Sequence, residues 1–129
     1  MLSDSQFEDL VGEALDDLPP FFQAQMDNIV VLVEKWPSRR VMREMGIPPD
    51  GTLLGLYHGI PLTERTHAYN LVTPDTITLY QGPIEAMARE GEEGTLLDRV
   101  REEVRHTVIH EIAHHFGISD DRLHELGAY

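Results

Sequence analysis

Between positions 96 and 116 of this 129-residue chain, apolar residues recur at helical spacing. They are Leu96, Leu97, Val100, Val104, Val108, Ile112 and Phe116. Residues three or four positions apart lie on one face of a helix, so this spacing predicts a long amphipathic helix. Thr95 can cap the start of the helix, and Gly117 can supply the left-handed residue that ends it. The residues with the clearest chemistry lie on its last turns.

Those turns carry the pattern H-E-x-x-H, formed by His110, Glu111 and His114 with two residues between. The two histidines lie one turn apart, about 6 Å on the same face, so both imidazoles can reach one metal ion. Zinc accepts histidine nitrogens at about 2.0–2.1 Å in a tetrahedral shell. Glu111 points roughly 100° around the helix, where its carboxylate can reach a metal-bound water without ligating the metal. The pattern predicts a zinc site with Glu111 as general base.

Asp120 follows His114 by six residues and extends the pattern to H-E-x-x-H-x-x-G-x-x-D. Asp120 can face the histidines only if the chain reverses at Gly117, and glycine tolerates the backbone conformation of such a reversal. The extended pattern resembles the long metal motif of the metzincins, with aspartate in place of the third histidine. The chain as a whole resembles the small bacterial single-domain mini-zincins, a group of zincin metallopeptidases.

This resemblance implies a metallopeptidase with Zn²⁺ as cofactor and Asp120 as the third ligand. Glu111 would take a proton from the attacking water and pass it to the leaving amine. In zincins an edge strand above the metal helix pairs with extended substrate, and here the candidate is the strand predicted over Leu53–Tyr57. A plain edge strand is the alternative. The partner would be a peptide or protein substrate of unknown identity.

One departure from the metzincin pattern keeps other functions open. All five methionines precede His114, so the methionine turn that underlies a metzincin site is absent. Tyr129 is predicted to pack beneath the histidines instead, with a frayed terminus as the alternative. A non-catalytic zinc-binding or interaction domain therefore remains a second candidate. A small metal-dependent nuclease with an H-x-x-x-H motif is a third candidate. The motif of that class does not contain the glutamate that this chain has at position 111.

Other side chains near the motif compete for the same roles. Glu125 and His124 are alternative third ligands. His106 lies one turn before His110 and could support it from outside the metal shell. His115 points away from the pair, as a surface or supporting residue. His58 and His67 are interpreted as surface histidines, and a surface position is the alternative for His106.

Charge and composition exclude several kinds of partner. Ten Lys and Arg residues against 23 Asp and Glu give a net charge of −13, which repels nucleic acid and anionic membranes. Cysteine is absent, so disulfides and thiolate metal sites are excluded. The first residues do not resemble a signal peptide, and no apolar run approaches the roughly 18 residues of a membrane span. We expect a cytoplasmic protein, with a homodimer left open.

The remaining patterns predict a small α+β domain over residues 1–129. Helices are expected over 5–18, with Ser5 and Glu8 as capping box, and over 38–45, 84–90 and 119–126. Strands are expected over 29–33, 53–57 and 76–80, the first fully buried, with a loop over 61–73. Arg39, Arg40 and Arg43 form a basic cluster expected to neutralise acidic neighbours. The sum is a three-stranded sheet with helices on one side, including the long metal-binding helix near the C-terminus.

Overall fold

The computed structural model describes residues 1–59 and 74–128. Its elements in chain order are α1 (Asp4–Asp16), α2 (Pro20–Gln25), a 3-10 turn (Met26–Asn28), β1 (Ile29–Glu34), α3 (Arg39–Glu44), β2 (Gly55–His58), β3 (Asp75–Tyr80), α4 (Gln81–Arg89), α5 (Leu96–Phe116) and α6 (Asp120–Glu125). The predicted α+β class is confirmed. Helix α2 was not predicted; it begins at Pro20, and proline suits the first position of a helix. The loop predicted over 61–73 lies outside the described residues.

The strands form one mixed sheet in the order β1-β3-β2. The central strand β3 runs parallel to β1 and antiparallel to β2. Its residues Ile77 and Leu79 are fully buried, and α4 and α5 contact this strand. Because α5 also contacts β2, the topology brings an edge strand beside the long helix.

The prediction that β1 is fully buried is wrong. Ile29, Val31 and Val33 are half-buried, whereas Val30 and Leu32 are 43% and 49% exposed. A continuous apolar run is typical of a strand covered on both faces. Here the strand lies at the edge of the sheet, and the described helices pack on one face only, so alternate residues meet the core.

Helix α5 lies in the middle of the core, between the sheet and α1. Its fully buried side chains include Val100, Val104, Val108 and Ile112. Both ends are as predicted: Thr95 accepts a hydrogen bond from the Asp98 amide, and Gly117 is left-handed with φ 67°. Although α5 is long, no helix within residues 1–59 and 74–128 combines the length and apolar character that crossing a membrane requires.

The start of α1 corrects a second prediction. Ser3 is the N-cap: its hydroxyl accepts from the Gln6 amide, and the Gln6 side chain accepts from the Ser3 amide. The predicted capping box of Ser5 and Glu8 has the same spacing, but both residues lie inside the helix. The buried side chains of α1 are Phe7, Leu10, Val11 and Ala14. The helix therefore begins earlier than predicted and packs its apolar face against α5.

A buried polar network joins the N-terminus to α4. Gln81 and Glu85 are 0% and 1% exposed. The Glu85 carboxylate accepts from the Leu2 amide at 2.9 Å and from Gln81 Nε2 at 2.7 Å, and Arg89 Nη2 lies 3.4 Å from it. Gln81 Nε2 also donates to the Leu2 carbonyl at 2.8 Å. A buried charge is tolerated when it is paired and hydrogen-bonded, and this network supplies both.

Candidate metal centre

Three histidines follow one another along the last turns of α5. The ring centroids of His110 and His114 lie 6.4 Å apart, and those of His106 and His110 lie 4.1 Å apart. Two imidazoles on one tetrahedral zinc ion place their centroids about 5 Å apart. Side-chain rotation that closes the gap by about 1 Å would therefore let His110 and His114 share one ion.

After α5 the chain reverses at the predicted residue. Gly117 has the left-handed conformation, and the next amide, that of Ile118, donates to the Ala113 carbonyl at 2.8 Å. Ser119 then caps α6 by accepting from the Arg122 amide. Asp120 is the first residue of α6, and it lies close enough to His110 for its charge to act on the imidazole.

The surroundings of His110 favour its neutral form. Burial lowers the pKa of His110, and the neighbouring His106 and His114 lower it further. The Asp120 carboxylate acts in the opposite direction, but the net shift is downward. Neutral imidazole is the form that binds a metal, so metal binding requires little free energy for deprotonation of His110.

The donor chemistry fits zinc, although the side chains are not gathered around a point. Within residues 1–59 and 74–128, no three His, Asp or Glu side chains are placed so that they could hold one metal ion. Two imidazoles one turn apart and a carboxylate beyond the reversal are nevertheless a donor set that zinc accepts. His110 and His114 lie on the last turns of α5, and Asp120 begins α6 just beyond the reversal at Gly117.

The carboxylate of Glu111 contacts the edge strand. Its Oε1 accepts a hydrogen bond from the Tyr57 amide of β2 at 2.9 Å. Burial raises the pKa of Glu111, opposed in part by this hydrogen bond and by the charge of His114. A carboxylate with a raised pKa is a stronger base than an exposed one, as general-base catalysis near neutral pH requires.

The Tyr57 amide belongs to the outer edge of β2. In an antiparallel pair, successive residues direct their backbone groups alternately toward the partner strand and away from it. The Leu54 carbonyl accepts from the Tyr80 amide, so Leu54 and Leu56 face β3. Gly55 and Tyr57 therefore direct their amides and carbonyls to the opposite side, where Glu111 meets the strand.

The Tyr57 side chain ties the same strand to the end of α5. Its ring stacks on His115, with centroids 3.9 Å apart and planes 16° apart. Its hydroxyl donates to the buried carboxylate of Asp75 on β3. The sequence analysis did not identify Tyr57 or Asp75, because residues on separate elements carry no shared spacing. Of the two roles predicted for His115, the structure shows the surface residue. His115 is exposed, and its ring stacks on Tyr57 of β2.

Gly55 marks a close approach between β2 and α5. A Cβ atom built on Gly55 would lie 2.7 Å from Thr107 Cγ2 and 3.2 Å from the Thr78 carbonyl oxygen. A glycine within a strand often has this cause. The absence of a side chain at Gly55 thus lets the edge strand lie against the metal-binding helix.

The alternative ligands on α6 occupy different environments. Glu125 lies 2.8 Å from Arg122 in an exposed ion pair, and His124 is exposed on the same helix. The charge of Asp120 acts to raise the pKa of His110. Asp120 as third ligand stays a prediction.

The remaining candidate residues are placed less closely or lie outside the described chain. His58 is exposed at the end of β2, as predicted, and His106 is exposed while its ring neighbours that of His110. His67 and Tyr129 lie outside the described residues, so the role predicted for Tyr129 stays a prediction.

Comparison with known proteins identifies the family of the chain. The model of the zincin-like metallopeptidase family matches residues 26–128. The chain belongs to this family. The match includes β2, all of α5 and Asp120, so every element that forms the candidate metal centre of this zincin-like protein lies inside it. None of the curated proteins compared with the chain is significantly similar to it.

Proposed function

We propose that this zincin-like protein is a zinc-dependent metallopeptidase that hydrolyses peptide bonds in a peptide or protein substrate. The position of Glu111 carries the proposal, because this residue lies on the helix that carries the histidines and its carboxylate accepts a hydrogen bond from the outer edge of β2. Peptide hydrolysis needs a base where an extended chain passes the metal. Glu111 contacts the strand edge and lies on the helix of the proposed histidine ligands.

His110, His114 and Asp120 are the proposed ligands, with Gly117 providing the reversal that places the third. A zinc ion bound by them would polarise the scissile carbonyl and make the attacking water more acidic. The net charge of −13 supports a peptide over a nucleic acid as substrate.

Strand β2 would position the substrate, and Glu111 would transfer the protons. An extended substrate can add to β2 as a further strand, pairing with the outward backbone groups of Gly55 and Tyr57. Because that pairing uses the Tyr57 amide, it would release Glu111 from the strand. The freed carboxylate would take the proton of the attacking water and later protonate the leaving amine nitrogen. Burial of Glu111, which raises its pKa, suits it to both transfers.

Glu111→Gln tests the base. The variant keeps the shape of the side chain and should bind zinc as the wild-type protein does, measured by elemental analysis after gel filtration. Cleavage of a proteome-derived peptide library, measured as new termini by mass spectrometry, should fall by about 10² or more. Cleavage by Glu111→Gln at the wild-type rate would refute the assignment.

Asp120→Asn tests the third ligand, and the chain offers a matched control. Asp121 follows it in the first turn of α6, and both are exposed. We expect Asp120→Asn to weaken zinc binding at least tenfold and Asp121→Asn to leave it unchanged. Equal affinities for the two variants, or a larger loss in Glu125→Ala, would move the third ligand elsewhere.

A non-catalytic zinc-binding domain is the second candidate, and one observation favours it. The hydrogen bond from Tyr57 gives Glu111 a structural partner, as expected of a carboxylate that joins helix to strand. In that case the protein would bind zinc, its stability would fall in Glu111→Ala, which removes the acceptor of the Tyr57 amide, and the peptide library would show no more cleavage with the wild type than with Glu111→Gln.

A further inference from the structure

A cleft of about 650 Å³ lies away from the histidines, at the end of the sheet where β1 stops and β2 begins. Its walls are mostly apolar, with prolines on several sides, and two arginines open into it. Trp36, Arg39, Arg43, Thr52 and Leu53 are among the residues that line it. The volume is within the range of sites that hold small ligands or the end of a peptide.

The two arginines of this cleft differ from the others in the described chain. Among the residues that the structure describes, Arg40 alone of the predicted basic cluster neutralises an acidic neighbour, Glu44, at 2.9 Å. Within residues 1–59 and 74–128, Arg39 and Arg43 form no ion pair, whereas the other arginines bind a carboxylate or backbone carbonyls. In a chain with a net charge of −13, two unpaired guanidinium groups on one apolar cleft indicate an anionic ligand group.

The aromatic wall of the cleft is fixed in place. Trp36 is 59% exposed, yet its ring lies against Gly82, where an added Cβ would come within 2.4 Å of it. The Gly82 amide also donates to the Lys35 carbonyl, one residue before the tryptophan. A large aromatic surface held in position loses little conformational entropy on binding, as in other recognition sites built on tryptophan.

The cleft continues the outer edge of β2. Thr52 and Leu53 lie in its wall, just before Gly55, and Leu53 precedes Tyr57 by four residues, about 13 Å of extended chain. Antiparallel pairing is the more stable arrangement for an added strand. A peptide bound in that direction passes Tyr57 first and reaches the cleft with its C-terminal part.

We propose that this cleft binds the C-terminal end of a peptide, with the α-carboxylate between Arg39 and Arg43 and an apolar last side chain against Trp36. The position of the cut rests on the proposed peptidase function: substrates would be cleaved about four residues before a free C-terminus, given the strand rise. Binding at the cleft does not depend on hydrolysis, so the two can fail separately.

Trp36 is the only tryptophan of the chain, so its fluorescence reports occupancy of the cleft. Glu111→Gln protein, which should not hydrolyse peptides, is titrated with a short alanine peptide ending in leucine. The peptide is used as free acid, as C-terminal amide, and as an amide with aspartate before the leucine. We expect the free acid to change the fluorescence saturably and to bind at least tenfold more tightly than the plain amide, as loss of a charge-assisted carboxylate contact implies.

Arg43→Gln and Arg40→Gln provide matched variants on one helix, because each removes one exposed positive charge but only Arg43 lines the cleft. Arg43→Gln should abolish the preference for the free acid, and Arg40→Gln should retain it. Equal binding of acid and amide, equal behaviour of the two variants, or no saturable signal at millimolar peptide would overturn the proposal. Recovery of affinity in the aspartate amide would overturn it in favour of an acidic side chain.

Cleavage by the wild-type protein separates the two proposals. Tight binding of the free acid without any cleavage would retain the cleft and remove the peptidase function. Cleavage of free acid and amide at the same bond with equal kcat/KM would retain the peptidase and refute the role of the cleft.

Discussion

Replacing Gly55 by alanine should destabilise the protein by pushing β2 away from α5. The added Cβ would lie 2.7 Å from Thr107 Cγ2 and 3.2 Å from the Thr78 carbonyl oxygen. Carbon atoms in favourable contact are about 3.5–4.0 Å apart, so the overlap with Thr107 is about 1 Å. Neither neighbour can move freely, since Thr107 is 5% exposed and bonded to the Glu103 carbonyl, and Thr78 lies in the central strand.

Two opposing terms set the size of the effect. Overpacking a well-packed interior costs about 1–3 kcal/mol. Replacing glycine in a strand returns about 0.5–1 kcal/mol, because alanine has fewer conformations in the unfolded chain. The free energy of unfolding should therefore fall by about 0.5–2 kcal/mol, and Tm by about 2–8 °C for a domain of this size.

Thr107→Ser identifies the cause, since it deletes the Cγ2 methyl group and keeps the hydroxyl bonded to Glu103. Alone it should cost about 1 kcal/mol, the value of one buried methyl group. In its presence Gly55→Ala should become milder, with a coupling energy of about 0.5 kcal/mol or more between the two sites. Urea unfolding of the wild type, both single variants and the double variant gives this quantity.

Gly12→Ala is the control, because a Cβ built on Gly12, inside α1, has nothing within 4 Å. It should stabilise the protein by about 1 kcal/mol through helix propensity. If Gly55→Ala behaved like Gly12→Ala, or if Gly55→Ala and Thr107→Ser were additive within about 0.3 kcal/mol, the close approach of β2 to α5 would be disproved.

Three further predictions concern the stability of the fold. Glu85→Ala should lower the free energy of unfolding, measured in urea, by about 2–4 kcal/mol, because buried Gln81 and the half-buried Leu2 amide lose their acceptor; a loss below about 1 kcal/mol, as for an exposed residue, would contradict this. Gly117→Ala should cost about 1–2 kcal/mol at φ 67°, since L residues are strained there, and an unchanged Tm would argue against the left-handed helix end. The hydrogen bond from Thr95 holds the pKa of Asp98 below its ordinary value, so its stabilisation is fully present above about pH 4 and is lost as pH falls through the lowered pKa. Asp98→Asn should remove that part of the acid dependence, measured as Tm against pH.

The sequence predicted the features that depend on neighbouring residues. Thr95 and Gly117 end α5 through local hydrogen bonds and backbone conformation, so the helix that carries the histidines could be read from spacing alone. The bond between Glu111 and the Tyr57 amide joins residues 54 positions apart, and no periodicity encodes such a pair. Likewise, an apolar run such as 29–33 does not state whether both faces of a strand are covered, which only the order of strands decides.

The choice between Ser3 and Ser5 as helix cap shows a different limit. Each is followed three residues later by Gln or Glu, so both fit the capping pattern. With Ser3 as cap, the preceding Leu2 amide donates to Glu85. That contact involves residues 83 positions apart and is known only once α4 is in place.

The family match begins at Met26, whereas the packing of the protein begins with α1. Phe7 and Ala14 are fully buried in the contact between α1 and α5. A chain trimmed to the matched region would keep every proposed ligand, but it would expose to solvent the face of α5 that α1 covers. Lost metal binding in such a trimmed protein would then report missing scaffolding, not a missing donor. The segment that matches the family model begins at residue 26, whereas the segment that must fold together also includes α1.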